Sequence, residues 1–198
     1  HGEPLGADEV TATRKAIGWP DVAFHVPSEA RAFFAERRAA KQKERTQWDA
    51  GFATLRQANP ELAKQYDAIS KRSIPMDLES QLLAAVPAKP DATRNISAAI
   101  LQKAAELVPS LVGGSADLEP STKTRIQGSP SIQRGKFEGK NFHFGIREHA
   151  MGAVMNGLSA FGGWIPYGST FLTFSDYMRP SVRLAALMHL QAIYVWTH

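Results

Sequence analysis

The chain has 198 residues, 43% of them hydrophobic and 21% charged, with a formal net charge of +4; that is ordinary globular composition, with room for one large domain or one and a half small ones. It contains no cysteine, which excludes a disulfide framework and thiolate chemistry and fits a cytoplasmic location. No apolar run approaches the ~20 residues of a membrane span, no signal peptide is visible, and there is no RNP-like aromatic motif or helix-turn-helix signature, so neither a membrane nor a nucleic acid is expected as a partner.

Residues 1–27 are loop-rich, with one short helix expected over 7–16 that Asp8 could help cap. Pro27-Ser28-Glu29 has the look of a helix start, with Ser28 as N-cap and Glu29 in the first turn. That helix should run to about Ala58, where Asn59-Pro60 stops it, because a residue before proline is pushed out of the helical region. Its dense charges at 36–45 (Glu36, Arg37, Arg38, Lys41, Lys43, Glu44, Arg45) mix signs at helical spacing, the pattern of a solvated face. Its apolar face is thin and returns at Trp48, Phe52 and Leu55, as on a helix lying on a surface or bridging domains. A short helix follows Pro60, and 72–93, with Pro75, Pro87 and Pro90, has linker composition.

Beyond the linker the pattern changes. A helix over 94–108 should bury Ile96, Ile100, Ala104 and Leu107, and a short strand at Leu111-Val112 runs into Gly113-Gly114-Ser115-Ala116-Asp117-Leu118. A polar loop spans 119–140, and Phe142-His143-Phe144 is a brief strand. Phe144-Gly145-Ile146-Arg147-Glu148-His149-Ala150-Met151 then opens a helix whose apolar positions are Met151, Val154, Met155, Leu158 and Phe161. Ser169–Leu172 is a turn or short strand, 175–190 is a helix burying Met178, Val182, Ala185 and Leu187, and Ile193–Trp196 is a buried strand. Strands alternating with helices imply an α/β fold, a parallel sheet flanked by helices, preceded by a helical linker region. In such sheets sites form at the carboxyl ends of the strands, where Asp117 and His198 fall.

Each constellation admits a plain and a chemical interpretation. Glu148 is either a helix-capping carboxylate, favoured there by the helix dipole, or a carboxylate held at the edge of a buried surface for proton chemistry. Gly113-Gly114 permits either a sharp turn or the approach of a ligand. Phe171, Phe174 and Tyr177 stand three apart and form one stripe, either packed core or a flat cradle for an aromatic ring. Arg94 begins a helix and Ser121 follows a turn; both suit a solvated surface, and together an arginine and a hydroxyl can grip a phosphate. The histidines have no metal-ligand spacing, and His25, His143, His149 and His189 are assigned structural roles.

Taken together these segments resemble the transketolase family over nearly the whole chain, most closely at Gly113–Ser121, Gly145–Gly157, Ser169–Tyr177 and Ala192–His198. The resemblance divides the chain into the C-terminal end of a diphosphate-binding domain (1–58), an interdomain linker (59–90) and the N-terminal half of a pyrimidine-binding domain (91–198), a partial thiamine diphosphate-binding fold. The ends, at His1-Gly2-Glu3-Pro4-Leu5 and Thr197-His198, match stretches beside active-site loops, so an internal piece of a longer chain is expected.

By position, Glu148 matches the family glutamate that hydrogen-bonds the aminopyrimidine of thiamine diphosphate and favours its imino form. Phe171, Phe174 and Tyr177 match the aromatic pocket around the pyrimidine, with Phe174 the stacking face. Asp117 matches a residue near the cofactor that also reaches substrate hydroxyls. Arg94 and Ser121 match the grip on the sugar phosphate, and His198 a substrate-hydroxyl contact. His1 matches a catalytic histidine close to both diphosphate and substrate. The implied activity is reversible transfer of a two-carbon ketol unit from a ketose phosphate to an aldose phosphate, as in the pentose phosphate pathway and Calvin cycle. The family also implies a homodimer with the active site shared between subunits. Its Mg²⁺-binding Gly-Asp-Gly and Asn-Asn motif is absent from these residues, so the Mg²⁺ ligands are expected outside them and none within. Two alternatives share these features: a dihydroxyacetone synthase-like thiamine enzyme (deoxyxylulose-phosphate synthase is more distant), and a non-catalytic dimerisation module built on the same half-domain.

Overall fold

The computed structural model describes residues 2–198, and His1 lies outside them. The described chain divides into two compact units, one ending at Asn59 and the other spanning Pro60–His198.

The first unit is helical. α1 (Ala7–Ala16) is followed by a turn in which Arg14 pairs with Asp21 at 2.8 Å and the Trp19 ring meets His25 edge-on at 5.4 Å. α1 begins from Gly6 and Asp8 makes no capping bond, so the expected cap is not formed. α2 (Ser28–Ala58) ends where Asn59-Pro60 placed its stop. Ser28 is its first helical residue rather than its N-cap, a place Pro27 takes; the Ser28 hydroxyl donates instead to Glu29. The charged patch is a solvated face tied along the helix by Lys41–Glu44 at 2.7 Å and Arg45–Asp49 at 2.8 Å. Arginines also cover the rings, Arg37 over Phe33, Arg45 over Trp48 and Arg56 over Phe52.

The second unit opens with α3 (Pro60–Ser70) and α4 (Leu78–Ala84). α4 falls inside the segment expected to be a plain linker; its Leu78 packs into a core cluster, and that burial offsets the flanking prolines. α5 (Thr93–Leu107) leads into β1 (Leu111–Ser115), α6 (Glu119–Thr122), β2 (Asn141–His143), α7 (Glu148–Phe161), β3 (Ile165–Phe171), a 3₁₀ helix (Leu172–Met178), α8 (Arg179–Leu187) and β4 (Ile193–Thr197). The four strands form one parallel sheet in the order β2-β1-β3-β4. One face is covered by α5, through Ala105, Val108, Leu111, Ile126, Ile165 and Tyr167. The other is covered by α7 and the 3₁₀ helix, through Met151, Met155 and Met178 beside Ala116, with Val182 of α8 packed against them. This is the helix-flanked parallel sheet that the alternating pattern implied.

β3 is the largest departure from expectation. A seven-residue central strand stands where a turn or short strand at 169–172 was expected. Pro166 and Gly168 argue against a strand on sequence alone. Here Pro166 sits second in the strand, and Gly168 is required by contact: a Cβ there would lie 2.4 Å from the Met155 sulfur. The glycine lets α7 settle onto the sheet.

Burial differs at four further places. On α7 the buried stripe is Glu148, Met151, Gly152, Met155 and Ser159, whereas Val154 and Phe161 are exposed. Gly152 and Ser159 share that stripe with Met151 and Met155, and a Cβ at Gly152 would lie 2.2 Å from the Ser181 hydroxyl, so small residues let α7 come close to α8. In α8, Ala185 is buried but Leu187 is exposed. In α5 the buried residue is Ala105, while Ala104 is half-buried. β4 is not a buried strand, because it is the last in the sheet order and leaves Ile193 and Trp196 more than a third exposed. The 119–140 loop is more ordered than its composition suggested: Asn141 donates to Ile126 and Ser129 carbonyls and accepts from the Ile126 N–H, each at 2.9 Å.

Candidate active site

The strand order reverses between β1 and β3, since the chain passes from β1 to β2 on one side and resumes with β3 on the other. In open parallel sheets the crevice at such a switch point, beyond the carboxyl ends, is where ligands are held. Here it is a cavity of about 540 Å³ lined by Ala116, Asp117, Leu118, Ile146, Glu148, Phe174 and Tyr177.

β1 delivers Asp117. Gly113 and Gly114 do not make the turn that carries it; they lie within the strand, where a Cβ would strike the Tyr167 and Phe142 carbonyls at 2.1 and 1.9 Å. Those glycines serve strand packing, which corrects the expected turn. The turn is built by Ser115, whose hydroxyl donates to the Ser169 carbonyl and accepts from the Leu118 N–H, both at 3.1 Å. Asp117 takes a left-handed conformation, φ 63°, which aspartate tolerates better than most residues, and stands exposed at the rim. It also borders a smaller cavity of about 230 Å³ with Glu119 and His143.

α7 delivers Glu148 as its first residue, 7% exposed. Thr170, fully buried on β3, donates its hydroxyl to Glu148 Oε1 at 3.2 Å. No other hydrogen bond reaches that carboxyl among the described residues, and the residue faces the cavity. A carboxylate at a helix N-terminus is favoured by the peptide dipoles, and this one stands as a hydrogen-bond acceptor at the edge of an apolar chamber.

The end of β3 and the 3₁₀ helix that follows it deliver the aromatic stripe. Three residues per turn put positions 171, 174 and 177 one above the other. The rings stack accordingly, Phe171 on Phe174 at 5.9 Å and Phe174 on Tyr177 at 6.1 Å, with interplanar angles of 16° and 18°. Phe174 and Tyr177 wall the cavity; Phe171 stands behind them and touches the His198 ring at 4.8 Å.

Arg94 and Ser121, expected together to grip a phosphate, share no hydrogen bond among the described residues. Arg94 Nη1, from the start of α5, donates to His198 Nε2 at 2.9 Å, and Arg94 Nε and Thr197 Oγ1 are enclosed without a partner among the described residues. Ser121 lies half-buried on α6, which packs against β1, β3 and β4, but makes no side-chain bond to this pair. Neither Arg94, Ser121 nor His198 lines the main cavity. Of the other histidines, His143 meets Ser131 at 2.8 Å and His149 is exposed.

Beneath the site lies a hydroxyl network that sequence reasoning missed. Thr122, Thr124 and Ser169 join side chain to side chain at 2.5–3.2 Å, and Ser169 donates to the Gly114 carbonyl. Tyr167 donates to the Thr124 carbonyl at 2.7 Å, and its burial pushes the phenol above its ordinary range. Thr170 was missed for a related reason: the strand alternation that would have turned it toward Glu148 was hidden by Pro166 and Gly168. No helix among the described residues is long and apolar enough to cross a membrane, and no cluster of three metal-ligating side chains occurs among them.

Comparison with known proteins gives one answer along the chain. The sequence model described as transketolase, pyrimidine binding domain, matches residues 89–198, and that described as transketolase, thiamine diphosphate binding domain, matches 1–75. A transketolase of Halalkalibacterium halodurans is 43% identical over all of this chain and 30% of its own length. A chloroplastic transketolase of Craterostigma plantagineum is 40% identical over all of this chain and 38% of its own. Among solved structures, a transketolase from Pichia stipitis in complex with sedoheptulose-7-phosphate superposes with a TM-score of 0.83 at 38% identity, and one from Leishmania mexicana with 0.85 at 35%. Each solved chain is covered over 30% of its length and covers all of this one.

Proposed function

The chain belongs to the transketolase family, and on that premise we propose that it is part of an enzyme moving a two-carbon ketol unit reversibly from a ketose phosphate to an aldose phosphate. The chain spans about 30% of the length of most of the relatives it matches, so this activity is assigned to a protein that contains it. Residues 1–58 are the C-terminal end of a diphosphate-binding domain, 59–90 an interdomain linker, and 91–198 the first half of a pyrimidine-binding domain. The setting is the pentose phosphate pathway or Calvin cycle, in the cytoplasm. The partner is a second copy of the chain, each contributing to the other's site, and Mg²⁺ is held by residues outside these.

The observation that carries the proposal is the buried carboxyl of Glu148, tied through one oxygen and turned into a cavity walled by Phe174 and Tyr177. Such a chamber suits a flat, partly polar ring: apolar faces on one side, one proton-sharing group at its edge. The aminopyrimidine of thiamine diphosphate fits both requirements. When bound, that cofactor supplies the carbon nucleophile that carries the ketol unit. Glu148 holds a proton between its carboxyl and a ring nitrogen. Phe174 offers a face to the ring, with Phe171 and Tyr177 fixing its plane. Asp117 accepts hydrogen bonds from sugar hydroxyls at the rim. Arg94 and Ser121 grip the phosphate, the enclosed guanidinium Nε supplying an unspent donor. His198 contacts a substrate hydroxyl, and His1 serves both substrate and diphosphate as a catalytic group.

The test is an assay of the full-length protein with thiamine diphosphate, Mg²⁺ and a ketose phosphate, offering an aldose phosphate or formaldehyde as acceptor. Transfer to the aldose phosphate supports the proposal. Transfer to formaldehyde alone moves the assignment to a dihydroxyacetone synthase, and no transfer to either favours a dimerisation module.

A further inference from the structure

We infer that Thr170 is a positioning residue for Glu148, one that commits the carboxyl to a single working oxygen. This rests on the reading of Glu148 as the group that meets the cofactor ring.

β3 alternates its side chains between the two faces of the sheet. Tyr167 and Ser169 turn to one face, where they bond Thr124. Gly168 and Thr170 turn to the other, toward α7. Gly168 makes room for Met151 and Met155, and Thr170 reaches Glu148. Helix and strand are therefore locked at two levels on one face, by close packing below and by a hydrogen bond at the cavity.

The chemistry of that bond is directional. A threonine hydroxyl carries one hydrogen, and this one is given to Glu148 Oε1. A donor on Oε1 disfavours a proton there and leaves Oε2 as the oxygen that shares a proton with anything in the cavity. Thr170 is well suited to the task. It is fully buried in a central strand, and its β-branched side chain is stiff at χ1, so the hydroxyl is fixed before any ligand arrives. Without the bond, the carboxyl would be free to turn and Oε1 would lack a donor.

Valine keeps the shape and branching of threonine and removes only the hydroxyl. The experiment is calorimetric titration of the full-length protein, in Mg²⁺, with two ligands. One is thiamine diphosphate; the other is an analogue whose ring nitrogen facing Glu148 is replaced by C–H. Wild type should prefer the natural cofactor. Thr170→Val should shrink that preference about tenfold by weakening the natural cofactor alone, the size expected for a hydrogen bond to a charged group. Thr170→Ser, which keeps the hydroxyl, should restore it. If Thr170→Val does not fold, Thr170→Ala compared with Thr170→Ser carries the same test. Equal weakening of both ligands, or an unchanged preference, would overturn the positioning role while leaving Glu148 in place. A wild type that does not distinguish the two ligands would overturn the reading of Glu148, and the inference with it.

Discussion

Gly168→Ala tests how closely α7 must sit on the sheet for Glu148 to reach its place. The added Cβ would lie 2.4 Å from the Met155 sulfur and 3.0 Å from Met151 atoms, against ordinary contact distances of roughly 3.5–4.0 Å. More than ~1 Å of movement is therefore needed. Both methionines are fully buried and share their cluster with Met178, so the movement falls on the helix. Overpacking of this kind costs about 1–3 kcal/mol, and the stiffer unfolded chain returns about 0.4–1 kcal/mol. The net loss is then about 1–2 kcal/mol, or about 2–8 °C in the melting transition of a domain this size. A helix shift near 1 Å also carries Glu148 with it, which can cost up to roughly 10²-fold in turnover. The assay pairs thermal unfolding with kcat in the full-length protein, for Gly168→Ala, Met155→Ala and the double variant. Met155→Ala opens the space that the new methyl needs, so the double variant should be less destabilised than the sum by at least ~1 kcal/mol. A single variant within ~0.5 kcal/mol of wild type, or strict additivity, would refute the packing argument.

Tyr167→Phe separates burial from hydrogen bonding. Near neutral pH it should cost about 1–3 kcal/mol, because the Thr124 carbonyl loses its donor. Burial, reinforced by the Glu119 charge, raises the folded phenol above its ordinary 10.0. The folded state therefore binds this proton more tightly than the unfolded chain, and the contribution is lost as pH rises above about 10. Melting curves from pH 8 to 11 should show wild type falling faster than the variant; parallel curves would contradict the assignment. Arg94→Ala should raise KM for a ketose phosphate about 10–100-fold, the worth of a charge-assisted bond of roughly 1.5–3 kcal/mol. An unphosphorylated ketose should be affected far less, only through the loss of the Arg94–His198 bond, and an equal rise for both sugars would place Arg94 outside the phosphate grip.

Helical periodicity made α2, α5 and α7 visible, and with α7 came Glu148 at its first turn. Spacing by three made the Phe171–Phe174–Tyr177 stripe visible, though not the 3₁₀ winding that stacks its rings. What stayed hidden was set by contacts between distant segments. Gly168 and Pro166 look like strand breakers until the depth of Met155 is known. Val154, Phe161 and Leu187 look like core, yet they lie exposed in the described chain while Gly152 and Ser159 are packed, because close helix approach favours small side chains. Gly113 and Gly114 suggested a turn, when the neighbouring strands were what they accommodate. Thr170 carries no local signal at all; its partner is 22 residues away in sequence.

The central claim is that the free oxygen of Glu148 exchanges a proton with the cofactor ring. The most direct measurement is kcat for ketol transfer by the full-length Glu148→Gln protein, saturated with thiamine diphosphate and Mg²⁺. Glutamine keeps the side chain's size and can still accept the Thr170 bond, but it cannot share a proton in the same way. A fall of about 10²–10⁴-fold with an unchanged melting temperature is the predicted result. Turnover within about threefold of wild type, well below what proton-transfer catalysis contributes, would contradict the account.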